Sequence, residues 1–377
     1  MPPATRKFSK APIFASCSCP ARNELRLACT RSSQKPGSSL TSPAGTGRRT
    51  ALGLAERSVV AKDCGACSTR ARSGNTACSL YLGAVLIAAA ALAWAQEAPA
   101  PPARPFPPVR ALTFNVRYGT APDGDNAWDK RKDLVLQVLA EERADVVAVQ
   151  EALAFQLDFV LEKLPRYRAS GAFRRGGRED EWTGILLDQE RFDVEKEGQF
   201  WLSETPDKVG SVGWDAALPR LCAWVVVKER SGGDRFAVFA THLDHAGGKA
   251  RAESMRLILA RARAIAPGLP ALLLGDLNAG EDAPPLHLAR AAGFVDSFRV
   301  AHPDAQECGT FHGFQGGGGG AKIDYVLCSA EWRVADAGIV RTEAQGRYSS
   351  DHYPVRALLS LGAAPAASEP PAPVAPG

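Results

Sequence analysis

Five short segments place acidic, amide or imidazole side chains directly after, or inside, runs of apolar residues, and a sixth closes the series. Ala111-Leu-Thr-Phe leads to Asn115, with Arg117 and Tyr118 just beyond. Asp145-Val-Val-Ala-Val-Gln150 runs into Glu151. Phe236-Ala-Val-Phe-Ala-Thr241 leads into His242, Asp244 and His245. Ala271-Leu-Leu-Leu-Gly275 delivers Asp276 and Asn278. Lys322-Ile-Asp324-Tyr-Val-Leu327 carries an acid inside an apolar strand, and Ser349-Ser-Asp351-His352-Tyr353-Pro354 follows. A carboxylate or imidazole at the end of a buried strand is held on rigid backbone, which suits acid–base or metal-assisted chemistry. Taken singly, each has a plainer reading as a turn starter, a helix cap or a hydrogen-bonded structural histidine. Their accumulation in one stretch favours a shared site.

The elements that must position these groups alternate between strand-like and helix-like segments. Strands are expected at Arg110–Val116, Asp145–Gln150, Ile185–Leu187, Ala223–Val227, Phe236–His242, Ala271–Asp276 and Lys322–Leu327, all rich in Val, Ile, Leu or Phe. Leu134, Val135, Val138 and Leu139 share one helical face; Met255, Ile258, Leu259, Ala262 and Ile265 share another. Many strands and few helices predict a layered α/β sandwich, its sheets packed together and its helices outside.

The chain has 377 residues. Residues 1–95 hold 13 Lys+Arg against 3 Asp+Glu, whereas residues 96–377 hold 32 against 38. The basic character therefore belongs to the leader. The remainder is mildly acidic and lacks a broad basic stripe for gripping a nucleic-acid backbone. Cysteines divide the same way: six precede residue 96, and only Cys222, Cys308 and Cys328 follow. Three cysteines permit at most one disulfide, so no disulfide framework supports the later part. Cys64-Gly-Ala-Cys67 lacks the second pair that a zinc site requires.

Residues 79–95 form an apolar run with Arg70 and Arg72 upstream, ending in Ala93-Trp94-Ala95. This has the layout of a signal peptide with a small-x-small cleavage site. A membrane anchor is the alternative, since the run approaches the ~18-residue length of a span. Residues 1–78, rich in Ser, Arg, Gly and Pro, are expected to be a disordered extension or to precede the true start. Residues 96–108 read as a Pro-rich extended linker and 362–377 as a disordered tail. The folded domain is then 109–361, and an exported location is expected, periplasmic or extracellular. A membrane partner is implied only if the 79–95 segment stays uncleaved, and no stable protein partner is implied.

Phe-Asn115-Val, Gln-Glu151, Thr-His242-Leu, Gly-Asp276-Leu-Asn278, Ile-Asp324-Tyr and Ser-Asp351-His352-Tyr-Pro, in this order, resemble the endonuclease/exonuclease/phosphatase superfamily. The resemblance covers essentially all of 109–361. Asn126-x-Trp128-x-x-Arg131-Lys132, Phe200-Trp201-Leu-Ser-Glu-Thr-Pro206 and Gly309-Thr-Phe-His312-Gly-Phe314 further resemble a group of exported bacterial members. The resemblance implies a four-layer α/β/β/α sandwich of the DNase-I-like fold. It implies Glu151 as the main metal ligand with Asn115 and Asp351 nearby, an oxygen-rich site for Mg²⁺ or Mn²⁺. His352, oriented by Asp324, would serve the attacking water. Asp276 would position or deprotonate that water, and Asn278 and His242 would donate to phosphoryl oxygens. Which of Asp276 and His352 takes the proton is open at this stage.

Arg117, Arg131 and Arg220 are candidate phosphate clamps, with ion-pair roles weighed equally. Asp244, His245 and His312 would extend the pocket or add a second metal position. Trp128 and Trp201 are expected in the core. Gly316–Gly320 lacks the lysine and helix of a phosphate-binding loop and reads as a flexible loop beside the pocket. Members of the superfamily act on nucleic acids, inositol phosphates and phospholipids, so the fold leaves the substrate open. The acidic domain favours a small phosphate mono- or diester over a secreted nuclease acting on DNA or RNA. A secreted binding domain without turnover is disfavoured by the complete set of acidic and imidazole residues.

Overall fold

A computed structural model describes residues 106–362. The expected signal segment, the extension, most of the linker and the tail lie outside the described residues. In chain order the elements are β1 (Val109–Asn115), α1 (Trp128–Glu142), β2 (Val146–Ala152), α2 (Ala154–Lys163), β3 (Tyr167–Phe173), β4 (Trp182–Asp188) and β5 (Phe192–Trp201). Next come β6 (Leu221–Glu229), β7 (Arg235–His242), α3 (Gly248–Ile265), β8 (Ala271–Asp276), α4 (Pro284–Ala291), β9 (Val295–Asp296) and α5 (Ser297–Ala301). The last are β10 (Asp324–Cys328), β11 (Trp332–Ile339), the short β12 (Glu343–Ala344) and β13 (Arg347–Tyr348), and β14 (Val355–Leu361).

The long strands form two six-stranded sheets, ordered β11-β14-β1-β2-β4-β3 and β5-β6-β7-β8-β10-β9. Both faces of the central strands are buried, which is why they read as continuous apolar runs rather than alternating ones. Val109, Ala111, Val146 and Ala148 of the first sheet meet Val225, Phe236, Val238, Leu272 and Val326 of the second in a core between the sheets. On the opposite face of the first sheet, Leu112, Phe114, Val147 and Val149 pack on Val135, Val138 and Leu139 of α1 and Leu157 and Val160 of α2. On the outer face of the second, Ala237, Phe239 and Leu273 pack on Met255, Ile258 and Ala262 of α3 and Leu286 of α4. The result is the expected α/β/β/α sandwich.

The seven expected strands and both periodic helices are present, with ends shifted by a few residues. The sequence reading passed over β3, β5, β11 and β14. Their solvent-facing residues, such as Asp193, Glu195 and Glu197 on β5, break the apolar runs used to recognise a strand. Trp128 and Trp201 are buried as expected. Cys222, Cys308 and Cys328 are all free and buried, so no disulfide is formed among the described residues. No described helix is long and apolar enough to cross a membrane.

Sheet register brings the polar segments together. β1 runs parallel to β2 with Asn115 opposite Gln150, so Glu151 projects one residue farther along the same edge. β7 runs parallel to β8 with His242 opposite Asp276. β10 is antiparallel to β8 and sets Asp324 opposite Asp276. Asp324 is thus the first residue of its strand rather than an interior one, and it faces the same edge because its strand runs the other way. β14 is antiparallel to β1, with Thr113 opposite Val355, which carries Asp351 and His352 to that edge.

Candidate active site

Backbone geometry aims the side chains before any contact between them forms. Glu151 has φ +63° and lies where the β2–β4 register slips between Val149 and Ala152. A bulge of this kind turns a side chain out of the alternating pattern. Arg117 and Asn278 also have positive φ, at +61° and +46°. Non-glycine residues in this region cost about 1–3 kcal/mol each and tend to cluster at functional sites. Gly275, just before Asp276, has no room for a side chain, because a Cβ there would collide with the Thr241 carbonyl.

Asn115 is fully buried and joins the acids. Its Nδ2 donates to Glu151 Oε1 at 2.9 Å and to Asp276 Oδ2 at 3.0 Å, and lies 3.5 Å from His352 Nε2. Its Oδ1 accepts from the Arg117 amide at 3.0 Å. The second oxygen of Glu151 accepts from the Tyr118 amide at 2.9 Å. His352 Nδ1 sits 2.9 Å from Asp324 Oδ2, and its Nε2 is 3.8 Å from Asp276 Oδ2. His242 Nε2 approaches the same Asp276 oxygen at 3.5 Å.

These contacts set the charges. Burial pushes the Asp276 carboxyl up, and the facing Asp324 carboxylate pushes it further. Burial opposes charge on His352, but Asp324 and Asp276 on either side outweigh it and raise its pKa. Burial, together with neighbouring Arg220 and His352, lowers His242 well below an ordinary histidine, so its ring is neutral. Burial likewise raises Asp351, with Glu151 adding to the effect and His352 opposing it.

Donor atoms of Glu151, His242 and Asp276 lie within 4.8 Å of one another, as do those of Asp276, Asp324 and His352. The first trio fits a divalent cation: two carboxylates and a neutral imidazole converge on an open cavity. Two of the site's buried polar atoms, His242 Nδ1 and Asp324 Oδ1, have no hydrogen-bond partner. Asn115 and Asp351, the other ligands expected from sequence, adjoin the Glu151–His242–Asp276 trio. Asn115 presents its nitrogen to the acids and gives its oxygen to the Arg117 amide. Asp351 is turned to Arg117, 3.5 Å away, and to the Ser350 hydroxyl, which donates at 3.2 Å.

A cavity of about 540 Å³ opens over this cluster. Glu151, His242, Asp276, Asn278, Asp351 and His352 line it, together with Arg117, Arg220 and His245. Asn278 spends one donor on the Leu243 carbonyl at 3.0 Å. Arg117 is bidentate to Asp123, at 2.9 and 3.0 Å, as well as facing Asp351.

Three expectations are corrected. Arg131 is buried behind the site, and its guanidinium donates to the carbonyls of Val116, Arg117, Asn126 and Ser349 at 2.7–3.1 Å. It tethers the Asn115 and Asp351 loops and has no donors directed at a substrate. His312 stacks on Tyr353 with ring centroids 3.9 Å apart and accepts from the Gly316 amide. Its neighbour Phe311 lines the cavity instead, since adjacent residues of an extended segment point to opposite sides. Asp244 accepts from the amides of Ala217, Leu218, Ala246 and Gly247, so it organises two loops rather than extending the pocket. The glycine run packs under the Gly309–Phe311 segment, where a Cβ on Gly320 would strike the Phe311 carbonyl, and none of its residues lines the cavity.

The sequence reading missed Glu181. It lines the cavity, is 9% exposed and follows no apolar run, having only Gly176–Asp180 before it. Leu218, Ile323 and Phe311, also in the wall, carry no chemistry that a motif could flag.

A model of the Endonuclease/Exonuclease/phosphatase family matches residues 112–352, which span every side chain of the cluster. The chain belongs to this family. An endonuclease/exonuclease/phosphatase family protein from Bacteroides thetaiotaomicron is 30% identical, with 69% of this chain and all of that one covered, at TM-score 0.64. A mannosyl-6-phosphatase from the same organism is 31% identical, with 67% of this chain and all of that one covered, at TM-score 0.63. An uncharacterised protein of Acanthamoeba polyphaga mimivirus is 26% identical over 151 residues, which cover 36% of this chain and 54% of the viral protein. The chain is a hydrolase-family member with residues able to hold a metal ion.

Proposed function

We propose that the protein is a Mg²⁺- or Mn²⁺-dependent hydrolase of a small phosphate ester, with water as the nucleophile. The observation that carries this reading is the single cavity edge on which the Glu151–His242–Asp276 trio and the Asp324–His352 pair converge. Oxygen-rich donors suit Mg²⁺ and Mn²⁺. When bound, such an ion polarises a phosphoryl oxygen and offsets charge developing in the transition state.

The protein's own groups divide the remaining work. Asp276, set between the cation-holding trio and Asp324, is placed to position the attacking water. His352, held as the imidazolium by Asp324 and Asp276, donates from Nε2 to the phosphoryl group. The free N–H of Asn278 supplies a further donor, and neutral His242 completes the cation-holding trio. Asn115 keeps Glu151 and Asp276 at a fixed separation.

A cavity of about 540 Å³ suits a ligand of small-molecule size. The mildly acidic composition of residues 96–377 disfavours a long polyanion. The similarity to a mannosyl-6-phosphatase supports a phosphate monoester carried by a sugar. The same reading takes residues 79–95 as an export signal. N-terminal sequencing of the mature protein is expected to begin after Ala95, and an intact 79–95 segment would favour an anchor.

Turnover of an aryl phosphate monoester, the matching diester, hexose phosphates, DNA and RNA, with Mg²⁺ or Mn²⁺ and with chelator, tests the proposal. Metal-dependent release of phosphate from small esters is the expected result. Nuclease rates far above those on small esters would replace this reading with a secreted nuclease. No turnover with any metal would favour a binding domain.

A further inference from the structure

Arg220 is 5% exposed yet lines the cavity, and its guanidinium is under-bonded. Nε has no hydrogen-bond partner. Nη2 has a long contact of 3.3 Å to His245 Nδ1, and Nη1 is 3.8 Å from Glu181 Oε2. Asp244 Oδ2 lies 3.7 Å from Nε, but the two Asp244 oxygens already accept four backbone amides. Glu181 gives the same Oε2 to Arg174 Nη1 at 2.8 Å. A buried guanidinium carries five donors, and leaving them unmet is costly. Nε is closed to solvent and faces Asp244, so the donor left for a ligand to meet is on Nη1, whose only contact is the 3.8 Å one to Glu181.

The chemistry of the wall selects that acceptor. A phosphate dianion placed against Arg220 would also meet the Glu181 carboxylate, which already senses the charge of Glu151 across the cavity. A hydroxyl both accepts from a guanidinium and donates to a carboxylate, so it satisfies both neighbours. Phe311, which is 44% exposed, with Leu218 and Ile323 supplies apolar wall for the C–H face of a ring.

We propose that Glu181, Arg220 and His245 form a subsite for leaving-group hydroxyls, which makes the substrate the phosphate monoester of a sugar or similar polyol. The proposal rests on the phosphoesterase reading for turnover, and assigns to Glu181 and Arg220 the choice of leaving group rather than the chemical step.

The test compares a hexose phosphate with an aryl phosphate that carries no hydroxyls, in the wild type, Glu181→Gln and Arg220→Lys. The ratio of kcat/KM for the sugar to that for the aryl ester is expected to fall about 10- to 100-fold in each variant, as for loss of a hydrogen bond to a charged group. Most of the loss falls in KM. Deoxy-hexose phosphates are expected to show the same loss in the wild type and little further loss in Glu181→Gln. An unchanged ratio, with both substrates impaired in parallel, would overturn the proposal and assign these residues to the chemistry or the fold. If the wild type turns over neither ester, calorimetric titration of the hexose phosphate separates the two ideas. Binding that Glu181→Gln weakens at least about tenfold sustains the subsite without the activity, and absence of binding, or equal binding by both proteins, overturns the subsite as well.

Discussion

Asp276 and Asp324 face each other across the antiparallel β8–β10 pair, and His352 stands against both, 2.9 Å from Asp324 and 3.8 Å from Asp276. Two buried carboxylates on adjacent strands repel, and the imidazolium offsets that repulsion. The pair therefore both orients His352 and sets the protonation state of the group that meets water.

Asp324→Asn removes the charge that holds His352 protonated while keeping the shape of the side chain. Turnover is expected to drop about 10²- to 10⁴-fold, the usual contribution of a positioned acid–base group. Steady-state kinetics on an aryl phosphate check this, with kcat rather than KM carrying the loss. A loss confined to KM would show that Asp324 serves binding instead.

Glu151, His242 and Asp276 are expected to hold the divalent ion. Addition of Mn²⁺ or Mg²⁺ at about 100 times its Kd should stabilise the wild type by ~2.7 kcal/mol. For a domain of this size that is a rise in melting temperature on the order of 5–10 °C. Glu151→Gln and Asp276→Asn should each abolish most of the rise in a thermal melt. The same rise in Glu151→Gln as in the wild type would remove Glu151 from the ligand set.

Arg131→Met removes the donor from the buried carbonyls of Val116 and Ser349 and from the half-buried one of Asn126, while the Arg117 carbonyl keeps its donor from Gln156. Each unmet group costs about 1–3 kcal/mol, so a loss of roughly 3 kcal/mol or more is expected. Denaturant unfolding measures it. Were Arg131 a phosphate clamp, the variant would keep its stability and show only a raised KM.

Burial raises Glu181 to about 7, with Glu151 adding to the shift and Arg174 and Arg220 opposing it. Asp180 also faces it with a negative charge. A carboxyl whose folded pKa lies above its unfolded value stabilises the fold at low pH. That contribution is fully present below pH 4.5 and is lost as the pH rises through 7. In the presence of chelator, Glu181→Gln is expected to flatten the pH dependence of stability between about 4.5 and 7. The difference between wild type and variant spans up to about 3 kcal/mol across that window. Unfolding free energies at four or five pH values decide it, and parallel curves would show that Glu181 ionises normally.

Much of the site was legible because strand ends announce themselves. A run of apolar residues followed by a polar one marked Asn115, Glu151, His242 and Asp276, the Ser-Asp-His-Tyr-Pro motif marked His352, and all five line the cavity or bond to residues that do. Functional residues that do not sit at the end of an apolar run carry no such mark. Glu181 lies in a polar loop before β4, and Phe311 is indistinguishable in sequence from a core residue. In sequence, Arg131, Asp244 and His312 are candidates for ligand contacts, with an ion-pair role equally weighed for Arg131, because a polar group on a motif looks the same whether it faces solvent, substrate or backbone.

The sequence by itself determined the layering and the roster of acids and imidazoles, since burial of both strand faces and the polar residue after each run are local properties of the chain. Tertiary structure decided which of those groups share a metal-sized space. That depends on strand direction and register: parallel pairing carries Glu151, His242 and Asp276 to one edge, and antiparallel pairing brings Asp324 and His352 to meet them. It also depends on the left-handed backbone at Glu151, which aims the carboxylate into the cavity. Strand pairing joins residues as far apart as Asn115 and Asp351, and no spacing within one segment encodes it.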